Sequence, residues 1–293
     1  MEQRMDAEIR AAAQAAPASI TAENWVKLSP EKLRATYATA RTPSGPIDPA
    51  PVAIQIPGET GARDALLFGN LETQAILYFH GGGWIVGSPQ THAAITAALC
   101  TASGMAVLSL DYRLAPEHPA PAPLLDGCAA MDWLLSNGVE RLILAGDSAG
   151  AAIALAVERG YGARYPIAGC LGFYGAFGLR DSVSLRLFAS RENGLDRAGI
   201  ARMYAIAQGP AATHPYEADD LALGHAPVRL LAADLDPFRD DSLCLAELAA
   251  RHGRPVMLER ISAVPHAFLQ YLGRAAVADR AILSAGRWLR SLS

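Results

Sequence analysis

The chain has 293 residues, 51% of them hydrophobic and 18% charged, which excludes an intrinsically disordered polypeptide. Its 25 basic and 29 acidic residues give a net charge of −4, without the basic excess of a nucleic-acid binder. The four cysteines, Cys100, Cys128, Cys170 and Cys244, form no C-x-x-C pair, so each reads as a small buried apolar residue. No stretch reaches the eighteen or so apolar residues of a membrane span, and the start, Met1-Glu2-Gln3-Arg4, shows no apolar leader core. A cytoplasmic protein without membrane or nucleic-acid partners is the expectation.

In chain order, residues 1–45 set Ile9, Trp25, Val26, Leu28, Leu33 and Tyr37 among Ala and charged residues at roughly helical spacing. This predicts two or three short helices, ended by the breakers Thr42-Pro43-Ser44-Gly45-Pro46. Three short apolar runs follow, at 52–56, 65–68 and 75–79, read as a meander. Strand-like runs at 105–110, 142–145, 167–173, 228–233 and 256–261 then alternate with helical stretches near 90–103, 123–136, 149–161, 240–252 and 275–291. Such alternation predicts a mostly parallel sheet with helices on both faces. Between 180 and 215 the alternation lapses, and Asp196 is placed to cap a helix running to about Gln208.

Gly146-Asp147-Ser148-Ala149-Gly150 lies between the apolar run 142–145 and the Ala-rich run 151–155. That is a strand, a tight turn and a helix. A serine in the middle of such a turn is held strained with its hydroxyl exposed, at a helix N-terminus that favours negative charge. His80-Gly81-Gly82-Gly83-Trp84 follows the run 75–79 and can present uncovered N–H groups to an oxyanion. A phosphate-binding loop is the alternative reading, opposed by the absence of G-x-x-x-x-G-K-[ST] and of any nearby Lys.

A serine nucleophile needs a base, and the base an orienting acid. In the order Ser, acid, His, the candidates for the base are His214, His225, His252 and His266. His266 stands just past the last strand-like run, where sheet-end loops carry sites. His252 reads as solvated. Asp234 and Asp236 both follow the run 228–233, with Asp240 and Asp241 on the next helix.

Taken together, these motifs, with Asp111-Tyr112-Arg113-Leu114-Ala115-Pro116-Glu117-His118-Pro119, Asp236-Pro237 and Pro265-His266-Ala267-Phe268, resemble the bacterial hormone-sensitive-lipase-type esterases. The resemblance covers about residues 46–293. It implies an α/β-hydrolase fold with a mostly parallel eight-stranded sheet and a small helical cap. The core would be 46–180 and 215–293, and the cap 1–45 and 181–214. It implies Ser148 as nucleophile, His266 as base and Asp236 as acid, with an oxyanion hole from the N–H groups of Gly82, Gly83 and Ala149. His80 and the 112–117 stretch would be structural. Trp84, Phe177, Phe188, Met203, Tyr204 and Phe268 are candidate pocket walls. No metal or organic cofactor is implied, the partner is a small ester, and a homodimer through the last strand is the family's expectation. The family usually has Gly where Ala151 and Ala267 stand, and each methyl is expected to narrow the pocket. The expected activity is hydrolysis of short-chain acyl esters through an acyl-enzyme. An amidase is the rival enzyme, and a receptor without the triad His is the rival from another class, which His266 opposes.

Overall fold

The computed structural model describes residues 5–15, 21–43, 45–190, 195–209 and 216–292. Three helices open the chain, α1 (Ala7–Ala15), α2 (Ala22–Lys27) and α3 (Pro30–Arg41). The Thr21 and Ser29 side chains cap α2 and α3, and Pro30 starts α3 where its missing N–H costs nothing. Next come β1 (Val52–Ile56), β2 (Arg63–Phe68), β3 (Gln74–Phe79), α4 (Ala93–Ser103), β4 (Ala106–Leu110), α5 (Ala122–Ser136), β5 (Arg141–Asp147), α6 (Ala149–Tyr161) and β6 (Ile167–Phe173). After β6 stand α7 (Val183–Phe188) and α8 (Arg197–Gln208), the latter capped by Asp196 as its sequence predicts. The chain closes with α9 (Ala218–Leu221), β7 (Val228–Leu235), α10 (Arg239–Arg251), β8 (Val256–Pro265) and α11 (Ala276–Arg290).

The sheet has eight strands in the order β1-β2-β4-β3-β5-β6-β7-β8, parallel from β4 through β8. The expected meander is therefore wrong at its third strand. β1 and β2 form an antiparallel pair, but β2 pairs with β4, and β3 lies between β4 and β5. Strand β3 is buried on both faces, so it takes a central place among parallel neighbours.

Alternate residues of the strands feed two cores. Leu77, Phe79, Leu108, Leu142, Leu144 and Leu230 face α5, α6 and α10. Ile76, Tyr78, Val107, Ile143 and Leu231 face α4 and α11, where Ile9 of α1 also packs. This period-2 split is what a sheet covered on both faces requires. It leaves the C-terminal ends of β3, β5, β7 and β8 together at one edge of the sheet, where the crossover loops are free to carry chemistry.

Candidate active site

The turn after β5 is built around two close approaches. A Cβ on Gly146 would lie 2.4 Å from the carbonyl carbon of Gly150, and one on Gly150 would lie 2.0 Å from the Phe79 oxygen. Only glycine lets the first turn of α6 press against strands β3 and β5 this closely. Ser148 sits between them at φ +52°, ψ −120°, a strained conformation for a residue with a side chain. The strain is held by backbone bonds: Ser148 N donates to Phe173 O at 2.9 Å, and Ser148 O accepts from Ala151 and Ala176 N–H groups.

Ser148 Oγ lies 2.9 Å from His266 Nε2, and His266 Nδ1 lies 2.7 Å from Asp236 Oδ2. Asp236 is fully buried, and its other oxygen accepts the Phe238 N–H at 2.8 Å. The imidazole of His266 is flanked by Tyr174 and Phe238, each edge-on with ring centroids 5.2 Å away. Of the acids left open by sequence, Asp234 instead pairs with Arg260 at the surface. Asp240 pairs with Arg239, and Asp241 accepts the Phe177 and Leu179 N–H groups. His225 N–H is bonded to Glu158 and His252 is exposed at the end of α10. His214 lies outside the described residues.

Gly82, Gly83 and Ala149 line the same cavity as Ser148. Gly82 and Gly83 have φ of +127° and +58°, which side chains rarely adopt, and a Cβ on Gly83 would meet Met203 Sδ at 2.2 Å. Asp147, the residue before Ser148 in the motif, fastens this loop. Its Oδ1 accepts the Gly81 N–H at 2.9 Å and the Tyr78 hydroxyl at 2.8 Å, and His92 Nε2 stands 3.5 Å from Oδ2. Burial works to raise the Asp147 carboxyl, but His92 and these bonds outweigh it and hold it below the usual carboxylate range. The anion thus stays charged beneath the glycines. Burial pushes the neighbouring His80 imidazole down to about 3, so it stays neutral while stacked on Tyr112 at 4.3 Å between centroids. The Tyr112 hydroxyl donates to His80 O at 2.8 Å. His80 and Tyr112 therefore shape the loop, as their place in the motifs implies.

The cavity over Ser148 has a volume of about 870 Å³. Three expected wall residues line it: Trp84, Met203 and Tyr204. Three do not. Phe177 is buried against Gly172 and Gly175, Phe188 lies under the Arg239 guanidinium, and Phe268 packs edge-on against Tyr174 in the core. The walls that sequence reasoning missed include Trp25, Ile200, Phe238 and Leu269. Of the two departures from the family pattern, Ala267 lines the cavity, at φ +58°. Ala151 does not: it is fully buried in α6, its methyl against Gly172 of β6, so it leaves the pocket unchanged.

Helices α2 and α3 are tied to the rest by two arginines that left no signal in the sequence. Arg34 donates to Ile85 O at 2.8 Å and to Ala115 O at 2.9 Å, and pairs with Glu117. Arg202 of α8 donates to the Trp25 and Leu28 carbonyls. Trp25 packs on α8 beside Gly199.

A family profile described as alpha/beta hydrolase fold matches residues 76–270. The chain belongs to this family. The resemblance to its hormone-sensitive-lipase-type branch, drawn from the motifs, stands with that match. An acetyl esterase of Salmonella schwarzengrund is 32% identical over 232 residues, covering 74% of this chain and 72% of the relative. The esterase LipI of Mycobacterium tuberculosis is 35% identical over 228 residues, 72% of this chain and 70% of the relative. Among solved structures, a Pyrobaculum calidifontis esterase superposes with a TM-score of 0.85 at 24% identity, covering 98% of this chain and 99% of the other, a likeness of fold. The thermostable carboxylesterase EstE1, from a metagenomic library, superposes with a TM-score of 0.81 at 25% identity, covering 90% and 98%. No helix among the described residues is long and apolar enough to cross a membrane.

Proposed function

We propose that this protein is a serine carboxylesterase that hydrolyses short-chain acyl esters through Ser148, His266 and Asp236. The observation that carries this reading is the unbroken series of contacts from Ser148 Oγ to His266 to buried Asp236 at the floor of the cavity. The serine hydroxyl donates to His266 Nε2, which takes its proton as Oγ attacks the ester carbonyl. Asp236 accepts the Nδ1–H, fixing the tautomer and stabilising the imidazolium. The N–H groups of Gly82, Gly83 and Ala149 bind the developing oxyanion, where losing one donor typically costs about 2.7–4 kcal/mol. His266 then protonates the leaving alkoxide. A water, deprotonated by the same imidazole, attacks the acyl-enzyme and releases the carboxylic acid and the free serine. These steps need no metal or organic cofactor.

The test is a series of nitrophenyl esters of graded acyl length beside matching anilides. Esters are expected to turn over and anilides to be far slower. Faster anilide cleavage would make the protein an amidase, and no turnover of either would end the catalytic reading. Within the series, acyl groups of about two to six carbons should be preferred over those above about ten, falling in graded steps of about 1–3 kcal/mol per misfitted methylene. Met203 pressed on Gly83, the Trp84 and Tyr204 rings and the Ala267 methyl support the short limit. A kcat/KM still rising at about twelve carbons would contradict it.

Residues 1–45 and 181–214 are proposed to act as a cap on a core of 46–180 and 215–293. Ile9, Trp25, Leu33 and Tyr37 are buried, and Trp25 and Tyr37 line the cavity. Burying one large apolar side chain contributes about 1.5–3 kcal/mol, so together they hold helices that are too short to be stable alone. Removing residues 1–40 should raise KM, change the acyl-length preference and lower the melting temperature. Unchanged kinetics and melting temperature across the ester series would show the segment to be dispensable.

A further inference from the structure

The charges that line the cavity over Ser148 are of one sign at its mouth. Arg41, at the last turn of α3, and Arg274, just before α11, both line it. The one carboxylate in the described lining is Asp147, which is buried and already bonded to Tyr78 and Gly81. Neither arginine has a carboxylate within salt-bridge distance among the described residues. Two carboxylates bond the backbone on either side of Arg274, Asp279 accepting the Gly273 N–H and Glu8 the Ala276 N–H, without an ion pair to its guanidinium.

Both guanidiniums are held in place without being neutralised. Arg41 lies over the Tyr37 ring, 5.7 Å from its centroid, and Arg274 over Tyr271 at 5.4 Å. Arg274 also donates to Gln270 O at 2.8 Å, while Gln270 Nε2 donates to the Tyr37 hydroxyl at 3.3 Å. The two arginines therefore stand on one wall, where α3 meets the 3-10 turn Phe268–Tyr271 that follows His266. Burial raises the Tyr37 and Tyr174 hydroxyls, and the Arg41 charge opposes it at both. Tyr174 in turn packs edge-on against His266.

We infer that Arg41 and Arg274 form an anion subsite, and that the preferred substrates are esters carrying an oxyanion group, carboxylate or phosphate, away from the scissile carbonyl. A guanidinium fork matches either group, and stacking on a ring lowers the entropy lost in engaging it. This inference rests on the esterase reading and adds the substrate class to it.

The experiment compares kcat/KM for matched pairs that differ in one charge. On the alcohol side these are meta-acetoxybenzoate and its neutral methyl ester. On the acyl side they are mono-nitrophenyl adipate and methyl nitrophenyl adipate. A meta-acetoxyphenyl phosphate arm separates phosphate from carboxylate recognition. In at least one pair the anionic ester should be preferred by about tenfold at low salt, and the preference should shrink as ionic strength rises. In the double variant Arg41→Gln/Arg274→Gln the ratio should fall to about twofold or less, with kcat/KM for nitrophenyl acetate within about threefold of wild type. Where the double variant folds poorly, the single variants and the wild-type salt dependence carry the same comparison. No anionic preference in either pair, or a preference unmoved by both substitutions and by salt, overturns the subsite. Failure of wild type to hydrolyse nitrophenyl acetate is a different result and overturns the esterase reading instead.

Discussion

Ser148→Ala is expected to abolish ester hydrolysis while the protein stays folded. Loss of a triad serine lowers kcat by about 10⁶ in a well-studied hydrolase, because nothing else in the site can form the acyl-enzyme. The side chain removed here is one hydroxyl, whose contact is the 2.9 Å approach to His266 Nε2. The backbone bonds that hold the turn, Ser148 N to Phe173 O and Ala151 N and Ala176 N to Ser148 O, need no side chain. Alanine meets the same penalty as serine at φ +52°, so the variant keeps the turn at little cost. Far-ultraviolet circular dichroism and the melting temperature should therefore match wild type. Activity above about one per cent of wild type would show that the hydroxyl is not the nucleophile.

What could be read in the sequence, and what could not, divides by the range of the interactions. All eight strands were visible because each is an apolar run ended by turn residues, a local property. Their order was not. The place of β3 between β4 and β5 depends on parallel pairing across a crossover, to which the spacing of residues 52–79 gives no access. The elbow was legible because Gly146 and Gly150 mark the contacts that only glycine permits. The pocket walls were half legible. An aromatic residue declares that it will be buried, but not toward which side. Phe268 turns into the core against Tyr174, while its neighbours Leu269 and Gln270 line the cavity, a difference set by the 3-10 turn. Arg34 was silent for a further reason. Its partners Ile85 O and Ala115 O are carbonyls, which every residue has, so no partner stands out in the sequence.

Asp236→Asn should be far more damaging than Asp234→Asn, although the two residues stand only two apart, Asp234 within β7 and Asp236 just past its end. Side-chain parity does not separate them. Their surroundings do. Asp234 meets the half-exposed Arg260 at 2.7 Å. A surface pair of that kind is worth about 0–1 kcal/mol, so its loss should barely move stability and leave kcat unchanged. Asp236 is fully buried, with one oxygen on the Phe238 N–H and the other on His266 Nδ1. Asparagine can still accept from Phe238 through its carbonyl. That leaves its NH₂ group facing Nδ1, which must then accept a hydrogen bond. The imidazole proton moves to Nε2, and the nitrogen that faces Ser148 can no longer take a proton from it. The expected loss is about 10⁴ in kcat, the cost of the wrong tautomer in a comparable triad, with KM much less affected. Nitrophenyl acetate kinetics on both variants, with melting temperatures as the control for folding, decide it. Equal losses in kcat/KM, or a larger loss at Asp234, would move the acid away from Asp236 and break the link between buried carboxylate, imidazole tautomer and nucleophile.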